Sequence, residues 1–270
     1  MERKRSIAGS LALASALCIA VAATALAATI VGTRGDDKLT GTPSNDRIAA
    51  LAGNDTVKAL AGNDRIRAGE GNDRVDAGPG NDRVRGGPGN DGLGGDDGKD
   101  WIRGGAGNDA IGGGNGPDRL GGGVGDDHLV AGPVSRPGLR PDKLRGGDGD
   151  DTLIGHRGVD ILIGGLGDDL ARGGPGPDMI RIGAPADAPA DAESAADEDE
   201  VVDDRASGGA GPDRIAGRDA LVDHVDCGDG RDLAILDNVD VIVDATEENP
   251  NGSCERVRRA DPDPEPTPEA

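Results

Sequence analysis

Residues 70–91 read EGNDRVDAGPGNDRVRGGPGND, and within them the unit G-N-D-R-V returns every nine residues. The aspartate of this unit recurs at the same interval from Asp37 to Asp127, and the series resumes from Asp142 to Asp178. An aliphatic residue stands two positions after nearly every one of these aspartates, as Val75 follows Asp73. Each unit therefore predicts a polar turn of about six residues and a strand of about three residues whose central side chain points inward.

The turns reach a fuller consensus in several places, such as GGPGND at residues 86–91, GGAGND at 104–109 and GGVGDD at 122–127. This pattern resembles the RTX, or hemolysin-type calcium-binding, repeat G-G-x-G-x-D-x-U-x, in which U is a large aliphatic residue. The resemblance covers residues 32–183 and about 205–234. It implies an all-β fold, a right-handed parallel β-roll or β-solenoid with two nonapeptides per turn, and calcium held between successive loops on each side.

The residue types favour calcium independently of the resemblance. Glycine allows backbone with positive φ and lets carbonyls converge, while a carboxylate adds a hard anionic oxygen. Neither cysteine nor histidine recurs with the unit, which disfavours zinc and copper. Stacking of each loop on the second loop along the chain predicts about ten bound Ca²⁺ ions. The predicted ligands are the turn aspartates Asp46, Asp55, Asp64, Asp73, Asp82, Asp91, Asp100, Asp109, Asp118, Asp127, Asp151, Asp169, Asp178 and Asp213.

Some units depart from the consensus, and their sites are predicted to be weaker or empty. Ala-Leu-Ala replaces the leading glycines at residues 50–52 and 59–61, PGLRPD precedes Asp142, and GHRGVD precedes Asp160. Asn or Asp stands just before many turn aspartates, as at Asn72, and these residue types tolerate left-handed backbone and suit a tight turn.

The core of such a roll is thin, because each nonapeptide buries only one aliphatic side chain and stacked strands would align rows of carboxylates. We therefore expect binding of Ca²⁺ and folding to be one coupled event. The alternative interpretation, a glycine-rich disordered tract, is expected to hold for the calcium-free chain.

Composition limits the partners and the compartment. The 270-residue chain has 49 glycines, no Phe or Tyr and a formal net charge of −22, so nucleic acid is a poor partner and an aromatic core is excluded. Residues 1–27 have a basic start, an apolar run and small residues at Ala25 and Ala27, which predicts a cleaved secretory signal; an uncleaved membrane anchor is the alternative. We expect a secreted or cell-surface protein with no membrane span in its mature form.

The rest of the chain divides by composition. Residues 28–183 are predicted to form the roll, 184–205 a flexible acidic Ala/Pro-rich insertion, 206–258 the last repeats with a capping segment of wider strands, and 259–270 a disordered tail rich in proline and acid. Two cysteines remain after the signal, and in an exported chain Cys227 and Cys254 predict a disulfide that pins the cap.

Residues on either side of the inward aliphatic point outward, and alternate units share a face. One face collects arginines, among them Arg65, Arg67, Arg83 and Arg85, which makes it a candidate docking site for an anionic cell-surface polymer. The alternative is that these arginines neutralise nearby aspartates.

Catalysis is not expected. The sequence has neither G-x-S-x-G nor H-E-x-x-H, and His128, His156 and His224 are scattered without metal-ligand spacing. The sequence thus predicts a secreted calcium-binding repeat protein with a structural or cell-surface role; the alternative is a binding module that docks an anionic polymer through its arginines.

Overall fold

The structure is a computed structural model that describes residues 26–132, 141–182, 204–217, 223–236, 240–243 and 253–259. These residues form 23 strands and no helix. Most of the predicted signal, residues 1–25, and most of the predicted insertion, residues 184–203, lie outside the described residues. The strands are β1 (Thr29–Val31), β2 (Lys38–Thr40), β3 (Arg47–Ala52), β4 (Thr56–Lys58), β5 (Arg65–Glu70), β6 (Arg74–Asp76), β7 (Arg83–Pro88), β8 (Gly92–Asp97), β9 (Trp101–Ala106), β10 (Ala110–Asn115), β11 (Arg119–Val124), β12 (His128–Val130), β13 (Asp142–Asp148), β14 (Thr152–Ile154), β15 (Asp160–Leu166), β16 (Leu170–Pro175), β17 (Met179–Ile182), β18 (Arg205–Ala210), β19 (Arg214–Gly217), β20 (His224–Asp226), β21 (Leu233–Leu236), β22 (Val241–Ile242) and β23 (Arg256–Arg259).

Successive strands alternate between two parallel sheets. The odd-numbered strands form a 12-stranded sheet and the even-numbered strands an 11-stranded sheet, each in chain order. Neighbours within a sheet are usually 18 residues apart, as in the pairs Ile48–Ile66 and Val57–Val75. The predicted solenoid with two nonapeptides per turn is therefore confirmed.

The hydrophobic core lies between the two sheets and consists mainly of the aliphatic residue two positions after each aspartate. Ile66, Ile102, Leu129 and Leu162 are among its fully buried members. Ala171, the smallest residue at such a position in the regular repeats, is also fully buried. One aliphatic column per sheet makes up most of the core, and buried alanines four positions after the aspartates, such as Ala50 and Ala59, extend it.

Many strands are longer than the three residues expected. β5 and β7 each contain six residues, since the leading glycines of the following turn still pair with the next coil. Gly87 lies opposite Gly105, and Pro88 lies opposite Ala106. Interstrand pairing thus continues into the turns that carry the aspartates.

The second position of the turn normally needs a glycine, because its backbone has positive φ and approaches the preceding coil closely. Gly105 has φ +143°, and a Cβ there would collide with the carbonyl oxygen of Gly87. Every positive-φ residue other than glycine among the described residues occupies this same second position: they are Leu51, Leu60, Asp96 and His156. These residues are strained where glycine is not.

Replacement of Leu60 by glycine is expected to stabilise the roll by about 0.5–1 kcal/mol. The residue has φ 77° and its side chain is 42% exposed, so relief of backbone strain costs little apolar burial. Thermal unfolding in calcium measures the change. Leu60→Ala is the matched control, because it removes the same apolar surface and keeps the strained Cβ; an equal gain in both variants would contradict the strain argument.

The roll continues across both interruptions of the repeat. Lys143 in β13 pairs with Arg119 in β11, and Arg205 in β18 pairs with Leu170 in β16. The stack therefore does not break near residue 140. The second interruption ends earlier than predicted, because Asp204 is fully buried and Arg205 already belongs to a strand.

The C-terminal end continues the same solenoid. Within the described residues, β21 and β22 contain four and two residues, so they are no longer than the strands of the repeats. β23 pairs with β21 and presents arginines at the open edge, where charge discourages further strand pairing.

The predicted disulfide is confirmed: Cys227 and Cys254 are bonded, with 5.2 Å between their Cα atoms. Arg259 ends β23, and the rest of the predicted tail lies outside the described residues.

Candidate metal centres

The turn aspartates are buried, although they are the most polar residues of the repeat. Asp64 and Asp100 are each 1% exposed, and every aspartate predicted as a ligand is buried in the same way. Each stands directly before a strand, so the 18-residue step of the sheets stacks the aspartates in two columns, one on each side of the roll. The columns also include Asp142, Asp160, Asp204, Asp223 and Asp232, which the predicted ligand set omitted.

The nine-residue interval was the signal for these additional members. Asp142 and Asp160 continue the main register, Asp204 stands nine residues before Asp213, and Asp232 stands nine after Asp223. The sequences before these aspartates depart from the glycine consensus, and for that reason they were not predicted as ligands. The aspartate is buried at this position whether or not the leading glycines of the turn are present.

One carboxylate oxygen of most of these aspartates accepts a hydrogen bond from the main chain of the preceding coil. Oδ1 of Asp64 accepts a hydrogen bond of 2.6 Å from the backbone N–H of Asp46, and Oδ1 of Asp109 accepts one of 2.8 Å from Asp91. The column crosses both interruptions of the repeat, since Oδ1 of Asp142 accepts from Asp118 and Oδ1 of Asp213 accepts from Asp178. Each aspartate with this hydrogen bond links its coil to the coil before it, whereas Asp160 lacks the bond.

A second column of hydrogen bonds runs in the opposite direction on the outside of the turns. The side-chain oxygen of Asn54 accepts from the backbone N–H of Asn72, and that of Asn72 accepts from Asn90, each at 2.8 Å. These residues do not have positive φ, so the turn does not use the left-handed backbone that Asn and Asp tolerate. Asn and Asp are used there because a short side chain with an acceptor reaches the next coil.

The other carboxylate oxygen of most of these aspartates has no donor. Oδ2 is buried and lacks a hydrogen-bond partner within the described residues at Asp55, Asp64, Asp73, Asp82, Asp91, Asp100, Asp109, Asp118, Asp127, Asp151, Asp160, Asp169, Asp178, Asp213 and Asp232. A buried anionic oxygen without a partner is costly, and such groups in proteins are normally paired or coordinate a metal. The two columns therefore lack positive charge.

Burial raises the pKa of many of these carboxyl groups. It raises the pKa of Asp82, Asp100 and Asp118 to about 7, and that of Asp169 to about 9. Neighbouring carboxylates add to the effect of burial, as Asp118 does on the pKa of Asp100. When these aspartates are ionised, the carboxylates within each column repel one another in the folded roll.

The first glycine of each turn leaves open the space beside Oδ2. A Cβ on Gly104 would lie 2.9 Å from the carbonyl oxygen of Gly122 and would collide with Oδ2 of Asp109. Gly86 stands in the same relation to Asp91 and to the carbonyl oxygen of Gly104. A carboxylate oxygen and a main-chain carbonyl of the next coil thus converge where a side chain is absent.

This donor set fits a hard divalent cation such as Ca²⁺, which binds carboxylate and carbonyl oxygens. The described residues contain no cluster of three or more His, Cys, Asp or Glu side chains suited to a metal. A bound ion would therefore be held by aspartates of stacked turns together with main-chain carbonyls. Nitrogen and sulfur ligands do not recur in the described turns, which again disfavours zinc.

Alanine replaces the first glycine in four successive turns near the N-terminus. Ala50, Ala59, Ala68 and Ala77 are fully buried, and their Cβ atoms occupy the position that glycine leaves open in the later turns. The turns from Gly86 onward are consequently the better metal candidates. This difference agrees with the doubt raised by the Ala-Leu-Ala sequences.

The first two turns satisfy their aspartates without a metal. Oδ2 of Asp46 accepts hydrogen bonds from both the N–H and the hydroxyl of Thr42. Oδ2 of Asp37 accepts the same two hydrogen bonds from Thr33. Burial alone would raise the pKa of Asp46, but hydrogen bonds from Ala28 and Thr42 hold it below its usual value. Asp46, one of the predicted ligands, therefore lies in a protein-built cap.

The metal-free roll is expected to become more stable as the pH falls. The folded-state pKa values of Asp82, Asp100 and Asp118 lie above the ordinary value of 3.8, so the folded chain binds more protons than the unfolded chain between about pH 4 and 7. The destabilisation is complete above these pKa values and disappears as protons neutralise the columns. Circular dichroism of resin-stripped protein at about pH 8 and pH 5 measures this as a gain of β structure at pH 5; no gain, or less β structure at pH 5 than at pH 8, would show that the carboxylates do not control stability.

A comparison with known protein families identifies the same repeats. A family model described as RTX calcium-binding nonapeptide repeat (4 copies) matches residues 24–57, 59–93, 94–132, 138–171, 145–180 and 202–220. These matches cover more than half of the chain and include all the aspartates predicted as ligands. A search of curated proteins finds no match. Within the described residues, the structure has no helix of the length and apolarity that a membrane span requires.

Proposed function

Because the chain belongs to the RTX calcium-binding nonapeptide repeat family, we propose that it is a secreted protein whose roll folds when several Ca²⁺ ions bind between its stacked Gly/Asp turns. Its role is structural or at the cell surface, without catalysis. The observation that supports this proposal is the buried column of Oδ2 atoms without donors.

The charges around the columns support a metal rather than an internal ion pair. The neighbouring charges that shift the pKa values of Asp100, Asp109 and Asp151 are other carboxylates, and each of them raises the pKa. Neither Lys nor Arg contributes to these shifts, so the part of the protein that the structure describes supplies no positive charge at these aspartates. The required charge comes from outside the chain.

Each aspartate has two tasks in this proposal. Its Oδ1 fixes the register of two coils through a backbone N–H, as Asp109 does with Asp91, and its Oδ2 is held as a metal ligand. A bound Ca²⁺ would neutralise carboxylates of adjacent coils and provide the partner that Oδ2 lacks. The leading glycine keeps that position open.

Secretion is supported by the location of free calcium and by the cysteines. Extracellular calcium sites work at about 10⁻⁴–10⁻³ M, a concentration at which a chain unfolded inside the cell would fold outside it. The bond between Cys227 and Cys254 is typical of an oxidising compartment. The N-terminal segment 1–27 supplies a candidate export signal.

Circular dichroism of the chain without residues 1–27 tests the proposal. In EGTA we expect the spectrum of a disordered chain, and calcium at about 1 mM is expected to restore a β spectrum cooperatively. Magnesium at the same concentration is the control, because it demands a smaller and stricter octahedral site. A chelator-stripped chain that is compact and heat-resistant would refute the proposal.

A further inference from the structure

The outward side of the 12-stranded sheet carries two rows of cations. We define the arginine face as the outward side chains of β3, β5, β7, β9, β11 and β13. Strand pairing places one row at Arg47, Arg65, Arg83, Trp101, Arg119 and Lys143, and a second at Arg67, Arg85, Arg103 and Arg145, with Ala49 and Gly121 completing it. All nine cations are exposed. No acidic side chain interrupts either row.

These cations are not neutralised within the protein. Their side chains make no hydrogen bond or ion pair with any part of the chain that the structure describes. The one recorded contact is that of the Arg83 guanidinium, which lies 5.6 Å from the centre of the Trp101 ring. The alternative suggested by the sequence, that these arginines pair with nearby aspartates, is therefore not supported.

The two rows of like charge destabilise the folded roll unless an opposite charge neutralises them. Arg65 faces Arg83 directly across the strands, and Arg67 faces Arg85. Like charges in such positions destabilise a sheet, and the rest of this chain is strongly acidic. Concentration of like charge on one flat surface is typical of a binding site for an opposite charge.

The width of the arginine face limits the shape of the partner. Only two outward side chains of each strand belong to these rows, while the strand ends and the loops that follow carry exposed acids such as Glu70, Asp126 and Asp150. A broad anionic surface would meet those acids. A linear partner that crosses the strands would contact the two rows alone, meeting one cation of each row about every 4.8 Å.

We propose that the arginine face binds a linear acidic polysaccharide that lies along the axis of the roll. A polyuronate carries one carboxylate per sugar, at a spacing comparable with that of the strands. Trp101 is 52% exposed in the middle of one row and offers an apolar ring on which a sugar can pack. Duplex DNA carries a charge about every 1.7 Å, a denser pattern that the net charge of −22 would repel more strongly.

This inference depends on the proposed function, because the rows exist only when the roll is folded. The test uses the calcium-loaded chain and oligomers of polymannuronate, a polyuronate with one carboxylate per sugar. Calorimetry measures the affinity, and fluorescence of Trp101, the single tryptophan of the chain, reports contact at the face. We expect saturable binding that weakens with salt, with no response to uncharged dextran.

A matched pair of variants locates the binding site. Arg65→Gln, Arg67→Gln, Arg83→Gln and Arg85→Gln together are expected to lower the affinity by about 30-fold or more. The control removes four exposed cations from the outward side of the other sheet, by Lys38→Gln, Lys58→Gln, Arg74→Gln and Arg172→Gln. The control has the same change in charge and is expected to retain the affinity.

Three results would overturn the inference: no binding by either method, equal losses in the two variants, or equally tight binding of a single-stranded oligonucleotide or of anionic vesicles at the same ionic strength. Circular dichroism of the same samples separates this inference from the proposed function. A chain that folds with calcium but ignores the polyuronate refutes the inference alone. A chain that folds without calcium and still binds the polyuronate refutes only the calcium proposal.

Discussion

A chain with Asp82→Asn, Asp100→Asn and Asp118→Asn is expected to keep β structure after chelation above pH 7, where the unsubstituted chain is expected to lose it. These aspartates occupy consecutive coils on one side of the roll, and each is buried with a pKa raised to about 7. Asparagine retains the Oδ1 acceptor for the N–H of the preceding coil and removes the ionised oxygen. The hydrogen bonds of the column remain, while its repulsion is reduced.

The same variant is expected to bind about three fewer Ca²⁺ ions, because three carboxylates of adjacent turns are removed. Circular dichroism in EGTA and calorimetric titration measure the two effects. The matched control is Asp76→Asn, Asp97→Asn and Asp148→Asn, which removes three exposed carboxylates. The control should remain dependent on calcium; a triple variant that resembles it in both measurements would remove the support for the aspartates as metal ligands.

The solenoid was predictable because its repeat is short and strict. An 18-residue turn follows from two nine-residue units, and the aliphatic residue two positions after each aspartate identifies the core, as the buried Ile66 and Leu129 show. Two residues of the solenoid had a weaker sequence signal. Asp204 and Arg205 belong to a coil although the sequence before them is rich in alanine and acid, and their register is visible only from Asp213.

The hydrogen-bond partners of the turn side chains were not predictable from the repeat. The sequence indicated that Asn72 and Asp73 lie in one turn, but not that Asn72 accepts from the following coil while Asp73 accepts from the preceding coil. The caps formed by Thr33 and Thr42 were equally hidden, because a hydroxyl reaches Oδ2 only when the turn has its folded shape. A short repeat determines register, whereas such contacts depend on the position of single atoms.

The two kinds of turn indicate that the N-terminal coils depend less on calcium than the later ones. The first two aspartates are satisfied by threonine, and Ala50 and Ala59 fill the next positions with apolar side chains. From Gly86 onward the position is open beside nearly every described turn aspartate. A roll whose first coils are satisfied internally has a fixed edge on which later coils stack, since solenoid repeats are stabilised by their neighbours.

Gly98→Ala is expected to destabilise the calcium-loaded roll by about 3 kcal/mol or more, or to prevent folding of the central coils. Gly98 has φ +147°, and a Cβ there would overlap the carbonyl oxygen of Gly80 in the preceding coil. The N–H of Gly98 also donates to Asn115 of the following coil at 2.8 Å, so the residue cannot move without breaking a contact. The contact is between backbones, which do not yield as a flexible side chain would.

Gly121→Ala is the matched control for this effect, and it is expected to be neutral or to stabilise the roll by up to about 1 kcal/mol. Gly121 points outward from β11, lacks positive φ, and a Cβ there would meet nothing within 4 Å. Thermal unfolding and the calcium midpoint measured on both variants separate two explanations of the many glycines. If both alanines were equally harmful, glycine would be needed for its flexibility throughout the strand and turn; if only Gly98→Ala is harmful, glycine is needed because the coils stack too closely for a side chain.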